Sequence, residues 1–152
     1  MYCDTEGASF GKGTKGWLFG FKLHVLATRT GQIVGAVLLP TGYDDRAGAR
    51  MLASLMTEGS LAIADLGCRR TTFQTEMYEE EGVLFLTRAD ITCQKLKILH
   101  STIRERVEGI FSSLWERFAT RVYSRSWHGL WNTLKLKMLD YKLWFANLIS
   151  YA

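Results

Sequence analysis

Residues 16–45 read GWLFGFKLHVLATRTGQIVGAVLLPTGYDD, and this stretch decides the class of fold. Apolar side chains alternate along residues 17–27, and a period of two predicts a β-strand with one strongly aromatic, buried face. Residues 28–32 (TRTGQ) supply a turn, and residues 33–39 form a second apolar run. The two runs are therefore predicted to form a β-hairpin.

Helices and short apolar runs alternate after this hairpin. Residues 61–64 (LAIA) form an unbroken apolar run that ends at Asp65, which is typical of a buried strand in a parallel sheet. The other predicted elements are a helix from Asp44 or Asp45 to about residue 57, a helix over 71–81, a buried strand over 83–87, and helices over 101–118 and about 127–150. This order predicts one α/β domain with a mixed sheet and a helical C-terminal end. The domain is expected to span residues 16–152, with residues 1–15 as a loose lead-in.

The composition is that of an ordinary folded protein. Hydrophobic residues make up 47% and charged residues 22% of the 152 residues, which excludes disorder as the main state. No uncharged apolar run reaches the roughly 18–20 residues of a membrane span, and we expect no secretory signal at the start of the chain. Cys3, Cys68 and Cys93 are odd in number and widely spaced, so we expect reduced thiols in the cytoplasm and neither a disulfide framework nor a zinc site.

Positive charge is concentrated near the C-terminus. The net charge of the chain is +4, but residues 117–152 hold six basic residues and one acidic residue, interleaved with Trp and Tyr. Clustered cations displace the counterions around phosphates, so this segment suits a polyanion such as DNA. The candidate DNA-binding residues in it are Arg121, Arg125, Lys135 and Lys137. A solvated helix face is the alternative interpretation of the same charges.

Two carboxylates stand out by their positions. Asp65 closes a buried apolar strand, where a carboxylate is costly unless it binds a cation or a strong donor, and Glu108 borders the apolar stripe of the 101–118 helix. Although they are 43 residues apart, they could converge on one pair of Mg²⁺ ions. Two structural alternatives stay open: Asp65 caps the turn that follows it, and Glu108 pairs with Arg104 at the i, i+4 spacing.

Three strings together resemble a known family. Residues 16–45, IADLGC at 63–68 and RERVEGIFSSLWERF at 104–118 are similar to the DDE transposases of bacterial insertion sequences. Those proteins share a Gly-(Trp/Tyr)-Lys-Leu-His strand, a Gly-Gln/Glu turn, a strand ending in Pro-Gly-Asn-x-x-Asp, a Gly-Asp-x-Gly-Tyr block and an Arg-x-x-Ile-Glu-Thr-x-Phe-Ser helix. The similarity runs from about residue 16 to the C-terminus.

The resemblance implies a ribonuclease-H-like fold and a reaction. The family cleaves and transfers DNA strands with two Asp and one Glu around two Mg²⁺ ions, and Mn²⁺ is possible in their place. By position, Asp65 matches the second Asp and Glu108 matches the Glu, so these two are the expected catalytic residues and metal ligands. Arg104 matches a helix arginine that supports the site or touches DNA. Asp45 matches an Asp outside the catalytic three.

The family's first catalytic Asp lies on a strand upstream of the 17–27 strand, where this sequence has only residues 1–15. Asp4 lies there, but its surroundings are not an apolar strand. We therefore expect the C-terminal part of a transposase, lacking the first, central strand of the sheet and inactive or nearly so by itself. The implied partners are insertion-sequence and target DNA, a second copy of the chain or full-length transposase, and no membrane, in a bacterial cytoplasm near the nucleoid.

Two other functions remain open. The first is a non-catalytic DNA-binding or oligomerisation module that modulates full-length transposase. The second is a small metal-dependent nuclease in which Asp44 or Asp45 replaces the absent carboxylate. We expect the nuclease less, because Asp44 and Asp45 begin a helix and should lie away from the strand end at Asp65.

Overall fold

The computed structural model describes residues 7–13, 16–114, 116 and 126–150, without the side chains of 147–150. The strands are β1 (Ser9–Gly13), β2 (Gly16–Ala27), β3 (Ile33–Pro40), β4 (Leu61–Ile63) and β5 (Leu84–Leu86). The helices are α1 (Asp45–Ala53), α2 (Thr71–Glu81), α3 (Gln94–Ser113) and α4 (Trp127–Ser150), and short 3-10 turns occupy Leu66–Cys68 and Arg88–Asp90.

The described strands form two small sheets. β2 and β3 make the predicted antiparallel hairpin, and the Gly31 amide donates to the Thr28 carbonyl across its turn at 3.0 Å. β4 and β5 form a separate parallel pair. The predicted α/β class and the helical C-terminal end are confirmed. The predicted single mixed sheet is wrong for the described residues, because their antiparallel and parallel strands lie in two separate sheets. The absence of a central strand remains a prediction.

The strand β1 lies in the segment expected to be a loose lead-in. It pairs antiparallel with the first five residues of β2, from Gly13 opposite Gly16 to Ser9 opposite Gly20. Sequence patterning missed it because two of its five residues are glycines, which carry no apolar signal. Gly11 is required there, since a Cβ atom would collide with the carbonyl of Thr41.

The expected buried aromatic face of β2 is wrong. Trp17 and Phe19 are exposed, and no residue of β2 is fully buried. Both aromatic residues lie in the half of β2 that pairs with the short edge strand β1, and Phe19 contacts Phe10 of β1. Farther along β2, Phe21 stacks on Trp127 of α4 and is partly covered. The side chains of β2 are therefore covered where a helix packs on the strand, and the alternation of apolar residues does not by itself determine which of them are buried.

Two clusters of buried side chains hold the elements together. One joins α1 and α2 to the β4–β5 pair and contains Ala53, Ala62, Met77, Val83 and Phe85. The other joins α3 and α4 to β3 and contains Ile33, Ile110, Leu114, Met138 and Tyr141. The Tyr141 hydroxyl also donates to the Gly31 carbonyl at 3.1 Å, which fastens α4 to the hairpin turn.

The helix bounds agree with the sequence where a helix is packed. α2 and α4 begin and end as predicted, whereas α1 ends at Ala53, four residues early. α3 begins at Gln94, seven residues before the expected start. Residues 92–99 are all exposed, so no core-facing apolar stripe marks this first part of α3.

Two helical glycines should respond in opposite directions to alanine. Gly48 of α1 faces the His24 ring, and an added Cβ would lie 2.5 Å from its Cγ. We expect Gly48→Ala to lower the free energy of unfolding by about 1–3 kcal/mol, because overpacking outweighs the gain in helix propensity. Gly109 of α3 has no atom within 4 Å of such a Cβ, so Gly109→Ala should raise that free energy by about 0.5–1 kcal/mol. Urea unfolding measures both, and two changes of the same sign would contradict the packing at His24.

Candidate active site

Asp65 lies in the first turn after β4. Its carboxylate accepts the Leu66 amide at 2.9 Å, and its carbonyl accepts the Cys68 amide at 3.0 Å, so Asp65 begins the 3-10 turn over Leu66–Cys68. The side chain is 76% exposed. The cost of burying a carboxylate, which singled out Asp65 in the sequence, therefore does not arise at this position.

Arg104 joins Asp65 to α3. Its Nη1 lies 3.3 Å from Asp65 Oδ1, and its Nη2 lies 3.3 Å from Glu108 Oε1, one helical turn along. Two carboxylates 43 residues apart in the sequence thus meet at the two ends of one guanidinium. The structure brings together Asp65, Arg104 and Glu108, and it also contains both structural alternatives, the turn cap and the i, i+4 pair.

The chemistry of this cluster suits a hard cation. The Glu108 side chain is 67% exposed, so both carboxylates are open to solvent and to a large substrate. Carboxylate oxygens are the ligands that Mg²⁺ and Mn²⁺ take in proteins, and Asp65 and Glu108 would hold such an ion. Within the described ranges, however, no three His, Cys, Asp or Glu side chains are grouped so that they could hold a metal ion. The metal-binding and catalytic roles of Asp65 and Glu108 stay predictions.

Asp44 and Asp45 have separate partners. Asp44 caps α1 by accepting the Arg46 amide at 3.0 Å, and its hydrogen bonds with the Arg46 guanidinium hold the pKa of Asp44 well below its usual range. Asp45 forms an ion pair with Lys22 at 2.9 Å. The helix-start interpretation of the two residues is therefore confirmed.

The expectation that these residues lie away from the strand end at Asp65 is wrong for Asp45. Its carboxylate rests against Gly67, two residues after Asp65, so closely that a Cβ on Gly67 would collide with it. The loop between β3 and α1 thus packs on the turn that begins at Asp65. Sequence reasoning missed this contact because Gly67 and Asp45 carry no pattern that links them. In the sequence, only the presence of Gly67 between the bulkier Leu66 and Cys68 indicated a close contact at this position.

His100 lies one turn before Arg104 on α3, and only 2% of its surface is exposed. Its Nε2 has no hydrogen-bond partner among the described residues. Burial lowers the pKa of His100, the charges of Arg104 and Arg88 lower it further, and Asp65 opposes them. His24, packed on Gly48, likewise has a pKa lowered first by burial and then by Lys22, against the opposing charge of Asp45.

The other candidate DNA-binding residues do not join this cluster. Lys135 is exposed on α4, with its Nζ 5.7 Å from the centre of the Trp131 ring, and Lys137 is half-buried on the same helix. Neither residue contributes to the contacts that link Asp65, Arg104 and Glu108. Arg121 and Arg125 lie outside the described residues.

The buried His100 and the half-buried His24 predict a pH dependence of stability. Because the folded pKa of each lies below the ordinary value of 6.5, the unfolded chain binds more protons between those values. The stabilisation is complete above about pH 6.5 and is lost as the pH falls below it. We expect His100→Leu to flatten the fall of unfolding free energy between pH 7 and 5, because the variant has no imidazole at this buried position. Equal slopes for the variant and the unsubstituted protein in urea titrations would contradict the burial of a neutral His100.

Comparison with known proteins assigns the chain to a family. The family model described as the transposase DDE domain matches residues 5–117. This match begins inside the segment expected to be a lead-in and includes Asp65, Arg104 and Glu108. Comparisons with curated proteins and with solved structures gave no match. Among the described helices, none combines the length and the apolar character needed to cross a bilayer. The resemblance to DDE transposases is confirmed, and the chain belongs to the transposase DDE-domain family.

Proposed function

We propose that the chain derives from a bacterial insertion-sequence transposase of ribonuclease-H-like fold, and that Asp65 and Glu108 are two of the carboxylate ligands of its divalent metal site. The observation that carries this proposal is the meeting of both carboxylates at Arg104 in a chain of the transposase DDE-domain family. When bound, Mg²⁺ or Mn²⁺ would activate the attacking hydroxyl and stabilise the leaving oxygen during phosphoryl transfer on DNA.

Arg104 has a defined part in this proposal. A guanidinium between two carboxylates balances their mutual repulsion while no other cation is near. The same fork-shaped donor set matches a phosphate oxygen pair, so Arg104 can exchange its carboxylate partners for a DNA phosphate. Arg104 thereby positions the two carboxylates in the free protein and contacts the backbone of the substrate in the complex.

The chain by itself is proposed to be inactive or nearly so. Two carboxylates hold two ions poorly, and the described residues add no third ligand beside Asp65 and Glu108. DNA binding would rest on Arg104 and on the basic C-terminal segment with Arg121, Arg125, Lys135 and Lys137. The protein would act on insertion-sequence ends and target DNA in the bacterial cytoplasm, associated with the nucleoid.

Mn²⁺ titration tests the metal site without requiring activity. We expect Asp65→Asn and Glu108→Gln each to weaken Mn²⁺ binding about tenfold or more, because each removes a charged ligand. Arg104→Gln should strengthen it several-fold, because a competing cation is lost. Glu105→Gln is the matched control, since Glu105 is exposed on the same helix and joins no contact of the cluster. Isothermal titration calorimetry measures the Mn²⁺ affinity of all four variants. Unchanged Mn²⁺ affinity in the Asp65 and Glu108 variants would contradict the proposal.

DNA assays separate the transposase origin from the alternative module. We expect salt-dependent DNA binding that Lys135→Ala with Lys137→Ala weakens at every sequence tested, since these are phosphate contacts. Cleavage of DNA carrying the insertion-sequence ends should be absent or very slow in Mg²⁺ or Mn²⁺. Robust cleavage that Asp65→Asn abolishes would refute the proposed inactivity. A DNA affinity that neither divalent metal nor Glu108→Gln changes would favour the non-catalytic module.

A further inference from the structure

Two turns lie side by side at one edge of the β4–β5 pair. The strands are parallel, and the Ala64 amide, just after β4, donates to the Leu86 carbonyl at the end of β5 at 2.9 Å. Both strands therefore leave the sheet at the same edge. Residues 65–70 form the turn after β4, and residues 87–91 form the turn after β5.

Arginines project from both turns. Arg69 and Arg70 end the first turn, Arg88 lies at the start of the second, and all three are exposed. Arg69 Nε lies 3.9 Å from Asp90 Oδ1, which joins the two turns. Within the described part of the chain, the guanidinium groups of Arg70 and Arg88 make no ion pair. We call Arg69, Arg70 and Arg88 the arginine edge.

The arginines next to this edge on α1 are already neutralised. Arg46 and Arg50 line the same open cleft as Arg70. The Asp44 carboxylate binds Arg46. The Glu76 carboxylate binds Arg50 at 2.6 Å. The positive charge that is available to a ligand therefore lies on the arginine edge rather than on α1.

The turn that carries Arg88 is held by hydrogen bonds. Asp90 accepts the Thr87 amide at 2.8 Å, the Thr87 hydroxyl at 2.7 Å and Gln74 Nε2 at 2.9 Å. Thr87 is fully buried. Because the backbone is fixed, a ligand that binds here has only the Arg88 side chain to order, and the entropic cost of the contact is low.

The arginine edge borders the candidate active site. Asp65 begins the turn that Arg69 ends. Besides burial, the charges of Arg104 and Arg88 lower the pKa of His100. The charge of Asp65 raises it, so these three charged side chains lie around one imidazole.

We propose that the arginine edge binds backbone phosphates of the DNA strand that reaches the cluster of Asp65, Arg104 and Glu108, an inference that rests on the proposed function. Asp65 and Glu108 repel a polyanion while no divalent ion is bound, so cations beside them are needed to hold the neighbouring phosphates. The guanidinium fork matches two phosphate oxygens, and every basic residue of the two turns is an arginine.

Salt titration of DNA binding tests the arginine edge. A fluorescein-labelled DNA duplex of arbitrary sequence is titrated with the full chain in EDTA, and fluorescence anisotropy gives the dissociation constant at several salt concentrations. We expect Arg70→Ala and Arg88→Ala each to raise this constant about threefold or more at low salt and to reduce the slope of log affinity against log salt by about one, because each removes a phosphate contact. Arg70→Lys and Arg88→Lys keep the charge and should keep most of the slope. Circular dichroism verifies that the variants are folded.

Arg29→Ala is the matched control. Arg29 is exposed in the hairpin turn, and its carbonyl accepts Arg106 Nη1 at 2.8 Å. Residues two apart on a helix do not face each other, so Arg29 lies across α3 from Arg104. An equal loss of slope in the Arg29 variant would overturn the proposal. So would unchanged slopes in the Arg70 and Arg88 variants, or a chain that does not bind the duplex.

The arginine edge and the proposed metal site can fail separately. We expect the arginine substitutions to weaken DNA binding by the same factor in a chain that carries Asp65→Asn and Glu108→Gln, because EDTA removes divalent metal from both proteins. If the slopes respond to the arginines while Mn²⁺ affinity ignores the carboxylate substitutions, the arginine edge stands and the metal ligands are rejected. The opposite pair of results rejects the arginine edge and leaves the metal ligands in place.

Discussion

The hydrogen-bonded ion pairs of Arg104 with Asp65 and Glu108 connect the two halves of the structure. Asp65 follows the parallel strand pair packed on α1 and α2, whereas Glu108 belongs to a helix that packs with α4 and the hairpin. Two carboxylates at one place repel each other, so this position requires a positive charge between them. Arg104 supplies it in the free protein, and a divalent ion is the natural substitute for it. The same feature therefore joins the two cores and marks the proposed site.

The sequence predicted most of the helices and strands, but it predicted only part of how their side chains are buried. The hairpin, α2 and α4 followed from patterns that a covered face produces, since apolar side chains recur wherever a neighbour packs on them. The start of α3 and the strand β1 escaped because exposed residues and glycines leave no such pattern. Trp17 shows the reverse error: alternation predicted burial, yet the strand end that carries it lacks helical cover.

The residues of the candidate site could be predicted from the sequence, whereas the contacts and the solvent exposure around them could not. Asp65 and Glu108 were identified by residue type and position, which also suggested that they could converge, and the resemblance to the transposase family matched them to two of its catalytic residues. The solvent exposure of Asp65, the contact of Asp45 with Gly67 and the burial of His100 were not predictable, because each depends on how separate elements dock. Long-range contacts of this kind leave no local trace in a single sequence. The basic residues Arg121 and Arg125 lie outside the described part of the chain, and their role rests on charge alone.

The exposed aromatic end of β2 has a consequence for the behaviour of the protein in concentrated solution. Phe10 of β1 and the adjoining Trp17 and Phe19 of β2 are exposed, and among the described strands β1 pairs with β2 alone. An edge strand with an apolar surround is a template for pairing with further chains, and charged side chains on such edges oppose it. Lys12 is the exposed charge of β1 and acts as its gatekeeper. High-salt buffers screen that charge, and we expect them to favour β-rich aggregation of the concentrated protein.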